Sequence, residues 1–311
     1  MKKIIFTSII LLASCTAYAQ EKWAIVLHGG AGSAPDNMTK EQIALYETEL
    51  LKSLEIGKQM LKDASSALDA VQAVVVSLEN NPMFNAGKGA VTNSENIHEL
   101  DAAIMDGSNL KAGAVAGVRD VKNPIKAARL VMDSTVHVLL ISDGASAFAK
   151  QMGLEIVENS YFTVDKKVKQ HSDKGTVGCV ALDVHGNLAA ATSTGGMHGK
   201  KWGRVGDVPI IGAGTYANNN TVAVSGTGHG ELWIRRVVAY DISALMEYKG
   251  LSLEEAANEV IFNKISPMCG SGGGIIAVDK NGNISLVFNT SLMYRAWAKS
   301  NGEQGAAVLK K

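Results

Sequence analysis

The sequence predicts an α+β fold in which β-sheets pack face to face and helices cover them from outside. Apolar, strand-like runs flank the turn His185-Gly186-Asn187, and two more flank Asn281-Gly282; both arrangements are typical of hairpins. These four runs are residues 177–183, 188–193, 274–278 and 284–288. Stretches with helical periodicity come in pairs between the strands, and no repeat period or low-complexity tract is present.

The first third of the chain predicts a strand, a glycine loop and two helices. The apolar run 23–27 feeds the loop HGGAG at 28–32, which lacks the endings and spacings of phosphate-binding loops. We therefore interpret His28 as a structural hydrogen-bonding residue at a tight turn. Thr39-Lys40-Glu41-Gln42 is a capping box that predicts a helix through Leu61, and a second helix starts near Ser65.

The elements that follow are predicted from caps and composition. Asn123-Pro124 predicts a helix through Met132, followed by a strand at 136–141 and a helix ending at Gly153. Residues 159–174 are rich in Lys, Asp and Ser and predict an exposed linker. Beyond the first hairpin we expect a strand at 221–225, one long helix over 231–247 and another capped by Ser252.

Composition and the N-terminus limit the classes of function. Lys+Arg and Asp+Glu both number 30, so no basic field predicts a nucleic-acid partner. Lys2-Lys3, an apolar segment and Ala17-Tyr18-Ala19 predict a signal peptide over 1–19 and export to the periplasm. The alternative is a lipobox ending at Cys15, which would leave a lipid anchor on the envelope. No mature segment is apolar enough to predict a membrane span.

Cysteine and histidine spacing predicts neither a disulfide framework nor a zinc site. Beyond Cys15 only Cys179 and Cys269 remain, too few for a disulfide scaffold in a chain of 311 residues. Cys179 lies in an apolar strand and is interpreted as a small core residue. No Cys/His pair has metal-ligand spacing.

Thr176 is placed for nucleophilic chemistry. It follows Gly175 and opens the apolar strand. Cleavage between Gly175 and Thr176 would give Thr176 a free α-amine, whose reference pKa of about 7.7–8.0 makes it a usable base beside its own hydroxyl.

Further motifs in the second half complete a candidate site. Thr194 ends a predicted strand, and Thr227-Gly228 joins a strand to a helix, where a hydroxyl and a backbone N–H could stabilise an oxyanion. Arg204 offers a planar fork for a carboxylate and Asp207 an acceptor for an ammonium group. Together Arg204 and Asp207 could hold the α-carboxylate and α-amine of an amino acid.

The chain resembles the plant-type asparaginase/isoaspartyl peptidase family of N-terminal-nucleophile (Ntn) hydrolases. The resemblance follows the mature chain in order through nine segments. They are HGGAG at 28–32, NPMFNAGKGAV at 81–91, ELDAAIMDG at 99–107, LKAGAVAGV at 110–118, NPIKAARLVM at 123–132, GTVGCVALD at 175–183, ATSTGGM at 191–197, GRVGDVPIIGAGTYANN at 203–219 and TGHGE at 227–231.

This resemblance implies a four-layer αββα sandwich and a self-cleaving precursor. Thr176 would attack the Gly175 carbonyl, which divides the single domain into an α subunit, 20–175, and a β subunit, 176–311. Thr176 would then form a β-aspartyl ester with the substrate and release aspartate. The implied roles of the other residues are assistance to the nucleophile (Thr194), oxyanion stabilisation (Thr227 and Gly228), substrate binding (Arg204, Asp207, Gly228 and Gly230) and a place near the catalytic water (Asn85).

The resemblance also implies a dimer of αβ units, no catalytic cofactor and a structural sodium ion. The sodium would be bound by main-chain carbonyls, which suit a hard cation. These belong to Leu78, Glu79, Asn81, Phe84, Ala86 and Lys88.

The preferred hypothesis is an exported threonine hydrolase of β-aspartyl dipeptides and L-asparagine. TGHGE also occurs in the related glycosylasparaginases, so cleavage of Asn-linked glycan stubs is the alternative enzyme activity; HGGAG and NAGKGAV favour the isoaspartyl peptidase branch. An alternative of another class is a periplasmic amino-acid-binding protein that uses Arg204 and Asp207 only as a clamp.

Overall fold

The structure, a computed structural model, describes residues 22–165, 175–268 and 272–310. The predicted signal peptide with Cys15, the end of the predicted linker and Cys269 lie outside these residues. None of the described helices is long and apolar enough to cross a bilayer.

Twelve strands and seven α-helices make up the described part of the chain. The strands are β1 Ala24–Gly32, β2 Leu100–Asp106, β3 Ala112–Val118, β4 Leu139–Ile141, β5 Val177–Leu182, β6 Leu188–Thr194, β7 Thr215–Ala217, β8 Val222–Gly228, β9 Gly273–Asp279, β10 Ile284–Ser285, β11 Leu292–Lys299 and β12 Gln304–Leu309. The helices are α1 Lys40–Lys62, α2 Ala67–Glu79, α3 Pro124–Ser134, α4 Ser142–Gln151, α5 Gly230–Arg236, α6 Val238–Lys249 and α7 Leu253–Asn258, which continues as a π-helical turn over Glu259–Ile265.

The strands form two sheets, as the α+β prediction requires. The larger sheet has the order β12-β11-β1-β5-β6-β2-β3-β4 and the smaller one β10-β9-β8-β7. Both predicted hairpins are confirmed, since β5 pairs antiparallel with β6 and β9 with β10. Strand β5 lies between β1 and β6, so the segment that follows Thr176 occupies the centre of the larger sheet.

The larger sheet is buried on both faces. Along β1, Ile25 and Leu27 belong to a hydrophobic cluster shared with α1–α4, whereas Ala24 and Val26 belong to a second cluster shared with the smaller sheet and α5–α7. Successive side chains of a strand point to opposite faces, so one face packs on helices and the other on the smaller sheet. The central strands of the larger sheet are therefore held in place by two packed cores.

Local sequence explains where the first helices begin. Thr39 accepts the Gln42 N–H at 3.3 Å while the Gln42 side chain accepts the Thr39 N–H at 2.8 Å, so the predicted capping box is confirmed. Ser66 caps α2 through its side chain, which accepts the Asp69 N–H. Pro124 occupies the first turn of α3, as predicted.

The single helix predicted over 231–247 is wrong. Val237 adopts a left-handed φ of 50° and separates α5 from α6. The first free N–H groups of α6 are satisfied from outside the helix: Ala239 donates to Ala213 and Tyr240 to Gly212. These tertiary hydrogen bonds replace those that a continuous helix would have supplied.

Two other boundaries also differ from prediction. Only Leu139–Ile141 of the predicted strand 136–141 is paired, because Thr135 bonds the His137 N–H and holds the preceding residues in a turn. The predicted linker does not begin at Asn159. The Asn159 amide donates to the carbonyls of His98 and Arg119, and Phe162 is fully buried, so this part of the linker is docked on the core.

Candidate active site

A cleft of about 750 Å³ opens where β5 begins and where β6 and β8 end. It is lined by Ala31, Gly32, Ser33, Gly175, Thr176, Thr194, Gly196, Met197, His198, Arg204, Gly206, Asp207, Gly228, His229, Gly272, Asn289, Thr290 and Ser291. The cleft therefore brings together residues that are far apart in the chain, including Thr176, Thr194, Arg204 and Asp207.

Thr176 contacts two other threonines. Its hydroxyl donates to the Thr194 hydroxyl at 3.2 Å, and its backbone N–H donates to the Thr227 hydroxyl at 3.3 Å. Thr176 is only 8% exposed, yet it lines the cleft. Its hydroxyl and its nitrogen thus each have a hydroxyl partner at the floor of the cleft.

Gly175 permits a backbone that other residues would resist. Its φ is 121°, a conformation that L side chains rarely adopt. A Cβ at this position would also collide with the Cα of Gly30 in β1. The residue before Thr176 is therefore pressed against the glycine loop that the sequence singled out at 28–32.

The turn after Thr194 is fixed by Asn85. Gly196 donates its N–H to the Thr194 hydroxyl at 2.9 Å. The Asn85 amide nitrogen donates to the Gly196 carbonyl at 2.9 Å, and its amide oxygen accepts the Val91 N–H at 2.9 Å. Asn85 is buried behind the turn and does not line the cleft, so its contacts hold Thr194 in place.

Thr227 is oriented by two backbone donors. Its hydroxyl oxygen accepts the N–H of Ala31 at 3.2 Å as well as that of Thr176. Because both bonds use the oxygen as acceptor, the hydroxyl proton is left to donate. Gly228 follows at the cleft with a φ of 141°, and a Cβ there would lie 2.6 Å from the Cα of Gly273 in β9.

Arg204 has a carboxylate partner that the sequence analysis missed. Its Nε–H donates to Glu231 Oε1 at 2.9 Å and its Nη2–H to Oε2 at 3.0 Å, a bidentate pair. The guanidinium hydrogen bonds are the main cause that lowers the pKa of Glu231. Glu231 belongs to the TGHGE segment, but its spacing of 27 residues from Arg204 gave no indication of the pair.

Asp207 is buried beside this pair and has an unusual carboxyl group. Burial raises its pKa from 3.8 to about 7, although the nearby Arg204 charge opposes this shift. Its Oδ2 is buried without a hydrogen-bond partner among the described residues. The other oxygen, Oδ1, lies on the side of Arg204, since a Cβ on Gly230 would be 2.8 Å from Oδ1 and 2.8 Å from Arg204 Nη2.

His28 lies beneath the site and confirms the prediction of a structural hydrogen-bonding residue. Its Nε2 is 2.9 Å from the Ser225 hydroxyl, which in turn is 2.8 Å from the Thr192 hydroxyl. These residues are fully buried and join β1, β6 and β8. Burial lowers the pKa of His28 from 6.5 to about 3, so its imidazole is neutral at physiological pH.

The loop proposed for sodium has its carbonyls crowded around two glycines. The carbonyl of Glu79 accepts the Lys88 N–H at 2.7 Å, and a Cβ on Gly89 would lie 2.5 Å from the Pro82 carbonyl and 2.8 Å from that of Phe84. The carbonyls of Glu79 and Phe84, two of the six predicted to bind sodium, thus lie against this loop, and the sodium site stays a prediction. Within the described residues, no cluster of His, Cys, Asp or Glu side chains could hold a metal ion.

Cys179 is a core residue, as predicted. It is a fully buried free thiol in β5, and burial raises its pKa. A thiol that burial keeps protonated is a poor nucleophile, so Cys179 is not suited to attack a carbonyl.

Comparison with known proteins gives matches along most of the chain. The sequence profile of a family described as Asparaginase matches residues 21–173 and 164–308. The isoaspartyl peptidase of Escherichia coli (strain K12) is 50% identical over 298 residues, which cover 89% of this chain and 92% of that protein. The probable isoaspartyl peptidase/L-asparaginase 2 of Arabidopsis thaliana is 39% identical over 325 residues, covering 92% and 98% of the two chains.

Proposed function

Because the chain belongs to the asparaginase family, we propose that it is a threonine hydrolase that releases L-aspartate from β-aspartyl dipeptides and L-asparagine. One observation carries the proposal: the Thr176 hydroxyl bonds Thr194 at 3.2 Å and its nitrogen bonds Thr227 at 3.3 Å, at the floor of a cleft that Arg204 and Asp207 also line. In this proposal Thr176 is the nucleophile and, once its α-amine is free, the base; Thr227 and Gly228 donate to the oxyanion, and Arg204 and Asp207 hold the amino acid.

The first step of the proposal is maturation of the precursor. The Thr176 oxygen attacks the Gly175 carbonyl carbon, the peptide C–N bond breaks, and the Thr176 nitrogen takes up the hydroxyl proton to become an amine. Water then hydrolyses the ester that joins Gly175 to the Thr176 oxygen. The products are an α subunit, 20–175, that ends in a carboxylate and a β subunit, 176–311, that begins with Thr176.

The second step is hydrolysis of the substrate. The α-amine of Thr176 removes the hydroxyl proton as the oxygen attacks the side-chain carbonyl, while Thr194 orients that hydroxyl. Thr227 and Gly228 donate to the oxyanion. The leaving amine takes the proton, a β-aspartyl ester remains on Thr176, and water hydrolyses it to aspartate.

Arg204 and Asp207 orient the substrate in this scheme. Arg204 binds the α-carboxylate, the ionised Asp207 binds the α-ammonium, and Gly230 leaves room for both, since a Cβ there would lie 2.8 Å from each of their side chains. These two contacts with the α-carboxylate and the α-ammonium fix which carbonyl faces Thr176. Asn85 keeps the Thr194 turn in place behind the site.

The fold and the setting of the enzyme complete the proposal. Helices on the outer faces of two packed sheets are expected to form the four-layer αββα sandwich of Ntn hydrolases. Residues 1–19 are proposed to direct export to the periplasm, with lipidation of Cys15 as the alternative, and two αβ units to form a dimer.

We extend the proposal to a structural sodium ion held by the carbonyls of the loop 78–88, namely those of Leu78, Glu79, Asn81, Phe84, Ala86 and Lys88. Sodium would stabilise the loop that carries Asn85. Thermal unfolding in sodium chloride should then occur at a higher temperature than in choline chloride of equal ionic strength. Equal midpoints in the two salts would argue against the ion.

The experiment that tests the main proposal combines N-terminal sequencing with turnover. Wild-type protein should give two bands on a denaturing gel, one beginning at Thr176, and should hydrolyse a β-aspartyl dipeptide. Thr176→Ala should remain one uncut, inactive chain, whereas Thr176→Ser should still mature. A cut or active Thr176→Ala protein would reject the nucleophile. An uncut wild type would favour a binding protein, and turnover of N-glycosylated asparagine alone a glycosylasparaginase.

A further inference from the structure

Arg204 and Asp207 lie next to each other but do not pair. The ideal Cβ position of Gly230 is 2.8 Å from Arg204 Nη2 and 2.8 Å from Asp207 Oδ1, so these two atoms are separated by at most twice that distance. No ion pair between the two side chains occurs in the described structure; the Arg204 ion pair there is with Glu231. A small rotation of the guanidinium would therefore bring the pair together.

Glu231 prevents the Arg204 guanidinium from rotating toward Asp207. It occupies the Nε and Nη2 edge of Arg204 with hydrogen bonds of 2.9 and 3.0 Å. The two bonds are parallel and fix the plane of the group as well as its position. The Nη1 edge remains without an acceptor from Glu231.

Glycines make room for the guanidinium in this orientation. A Cβ on Gly206 would lie 2.8 Å from Arg204 Nη1, and one on Gly196 would lie 3.5 Å from the same atom. Gly196 and Gly206 both line the cleft. The Nη1 edge thus lies against bare backbone at the cleft wall, where a ligand carboxylate can approach it.

We infer that Glu231 is a positioning residue of the amino-acid clamp, which keeps Arg204 and Asp207 from neutralising each other. This inference rests on the proposed function, because it assumes that the clamp receives an amino-acid zwitterion. Glu231 acts as a competing carboxylate. With it in place, Arg204 stays open toward an α-carboxylate and Asp207 toward an α-ammonium.

The difference in burial between the Glu231 and Asp207 carboxylates explains why Glu231 is needed to keep Arg204 from pairing with Asp207. Glu231 has a side-chain exposure of 45%, whereas Asp207 is 4% exposed. Electrostatic attraction is stronger in a buried, less polar environment than near solvent, so an unrestrained Arg204 would favour Asp207. If Arg204 and Asp207 paired with each other, neither charge would be available to bind a zwitterionic ligand.

The test is binding of three ligands to mature protein by isothermal titration calorimetry. L-Aspartate has both α-groups free, N-acetyl-L-aspartate lacks the ammonium, and L-aspartic acid α-amide lacks the α-carboxylate. Glu231→Gln keeps the shape of the side chain but removes its charge and places an amide NH2 group opposite one of the two guanidinium donors. The matched control is Glu303→Gln, which removes a carboxylate of similar exposure, 51%, from its pair with Lys299.

Glu231→Gln should weaken binding of L-aspartate by about tenfold or more, the size expected for loss of one charged hydrogen-bonded contact. Binding of each analogue should weaken by a smaller factor, because each already lacks one of the two clamp contacts. Glu231→Asp should lie between wild type and Glu231→Gln, and Glu303→Gln should match wild type. Unchanged L-aspartate affinity in Glu231→Gln, or an equal loss for all three ligands, would overturn the inference.

Failure of the proposed function would be recognised separately. It would show as wild-type protein that stays uncut or inactive, or as chain cleavage or turnover that persists in Thr176→Ala. Failure of the role of Glu231 would show only as a difference between variants in aspartate affinity, while wild-type maturation and turnover remained as proposed.

Discussion

The hydroxyl oxygen of Thr194 accepts two hydrogen bonds, one from the Thr176 hydroxyl at 3.2 Å and one from the Gly196 N–H at 2.9 Å. The second bond comes from the turn that carries Thr194 and is itself held by Asn85. Thr194, the hydrogen-bond partner of Thr176, is thus held in place by a backbone N–H rather than by a titratable side chain. This geometry favours a role for Thr194 in orientation of Thr176.

Thr194→Val tests that role because valine keeps the shape and removes the hydroxyl. We expect kcat for a β-aspartyl dipeptide to fall by about a hundredfold, since small misplacement of a reacting group is costly. KM should change little, because Thr194 is not part of the clamp. Thr194→Ser should retain most of the activity. Steady-state kinetics on the matured fraction decides, and a valine variant with wild-type kcat would contradict the role.

Arg204→Ala should weaken substrate binding and leave maturation intact. Removing one partner of a buried charged contact costs about 2–5 kcal/mol in binding, and the 19% exposure of Arg204 places its effect toward the lower end of that range. KM should therefore rise by at least tenfold, measured beside the cleavage state on a denaturing gel. An unchanged KM would reject the clamp.

Asp207 predicts a pH dependence of substrate binding. Burial raises the pKa of its carboxyl to about 7, so the group is largely neutral below that pH and ionised above it. Only the ionised form attracts an ammonium strongly. KM for L-asparagine should therefore fall as pH rises through about 7, and Asp207→Asn should show a high KM without this step. A step of equal size in Asp207→Asn would assign it to another group.

Site residues that stand in a local sequence motif were more predictable than contacts between residues that are distant in sequence. Thr176, Thr194, Arg204, Asp207 and Thr227 could all be singled out, because each stands in a local pattern of glycines and strand ends. The contacts between them depend on how strands pair and were not predictable. The clearest case is the Arg204 bond to Glu231, which forms only because the start of α5 lies over the cleft wall.

The fold was predictable where turns and caps carry the information. Strands β2 and β3 gave no comparable pattern, since LDAAIMD and AGAVAGV are rich in Ala and Gly and are buried on both faces, without polar–apolar alternation. The break between α5 and α6 at Val237 likewise depends on carbonyls of Gly212 and Ala213 that lie outside the helix. Tertiary contacts of this kind override local preference.

Gly178 is predicted to be required for packing between the sheets. It pairs with His28 across β5 and β1, and a Cβ there would collide with the Ser225 hydroxyl and lie 2.6 Å from His28 Nε2. Gly178→Ala should lower the free energy of unfolding by about 1–3 kcal/mol, as overpacking does.

The matched control for Gly178→Ala lies in α4. A Cβ on Gly144 meets no atom within 4 Å. Gly144→Ala should therefore raise the free energy of unfolding by about 0.4–1 kcal/mol, because alanine lowers the conformational entropy of the unfolded chain. Urea unfolding of both variants measures the difference. Equal stability of the two variants would show that the contact of Gly178 with Ser225 does not limit the packing.

His28 predicts a loss of stability in acid. Its pKa is about 3 in the folded protein and 6.5 when unperturbed, so below pH 6.5 the unfolded chain binds a proton that the native protein does not. Stability contributed by the neutral imidazole is therefore complete above pH 6.5 and is lost as pH falls toward about 3. At about pH 5 the loss in the free energy of unfolding should be about 2 kcal/mol.

The variant His28→Gln, which cannot titrate, tests this account. Its free energy of unfolding, measured with urea, should decline less than that of the wild type between about pH 7 and pH 5. The exposed His185 provides the control, since His185→Gln should follow the wild-type curve. Parallel curves for wild type and His28→Gln would mean that the buried imidazole is not the group that acid protonates on unfolding.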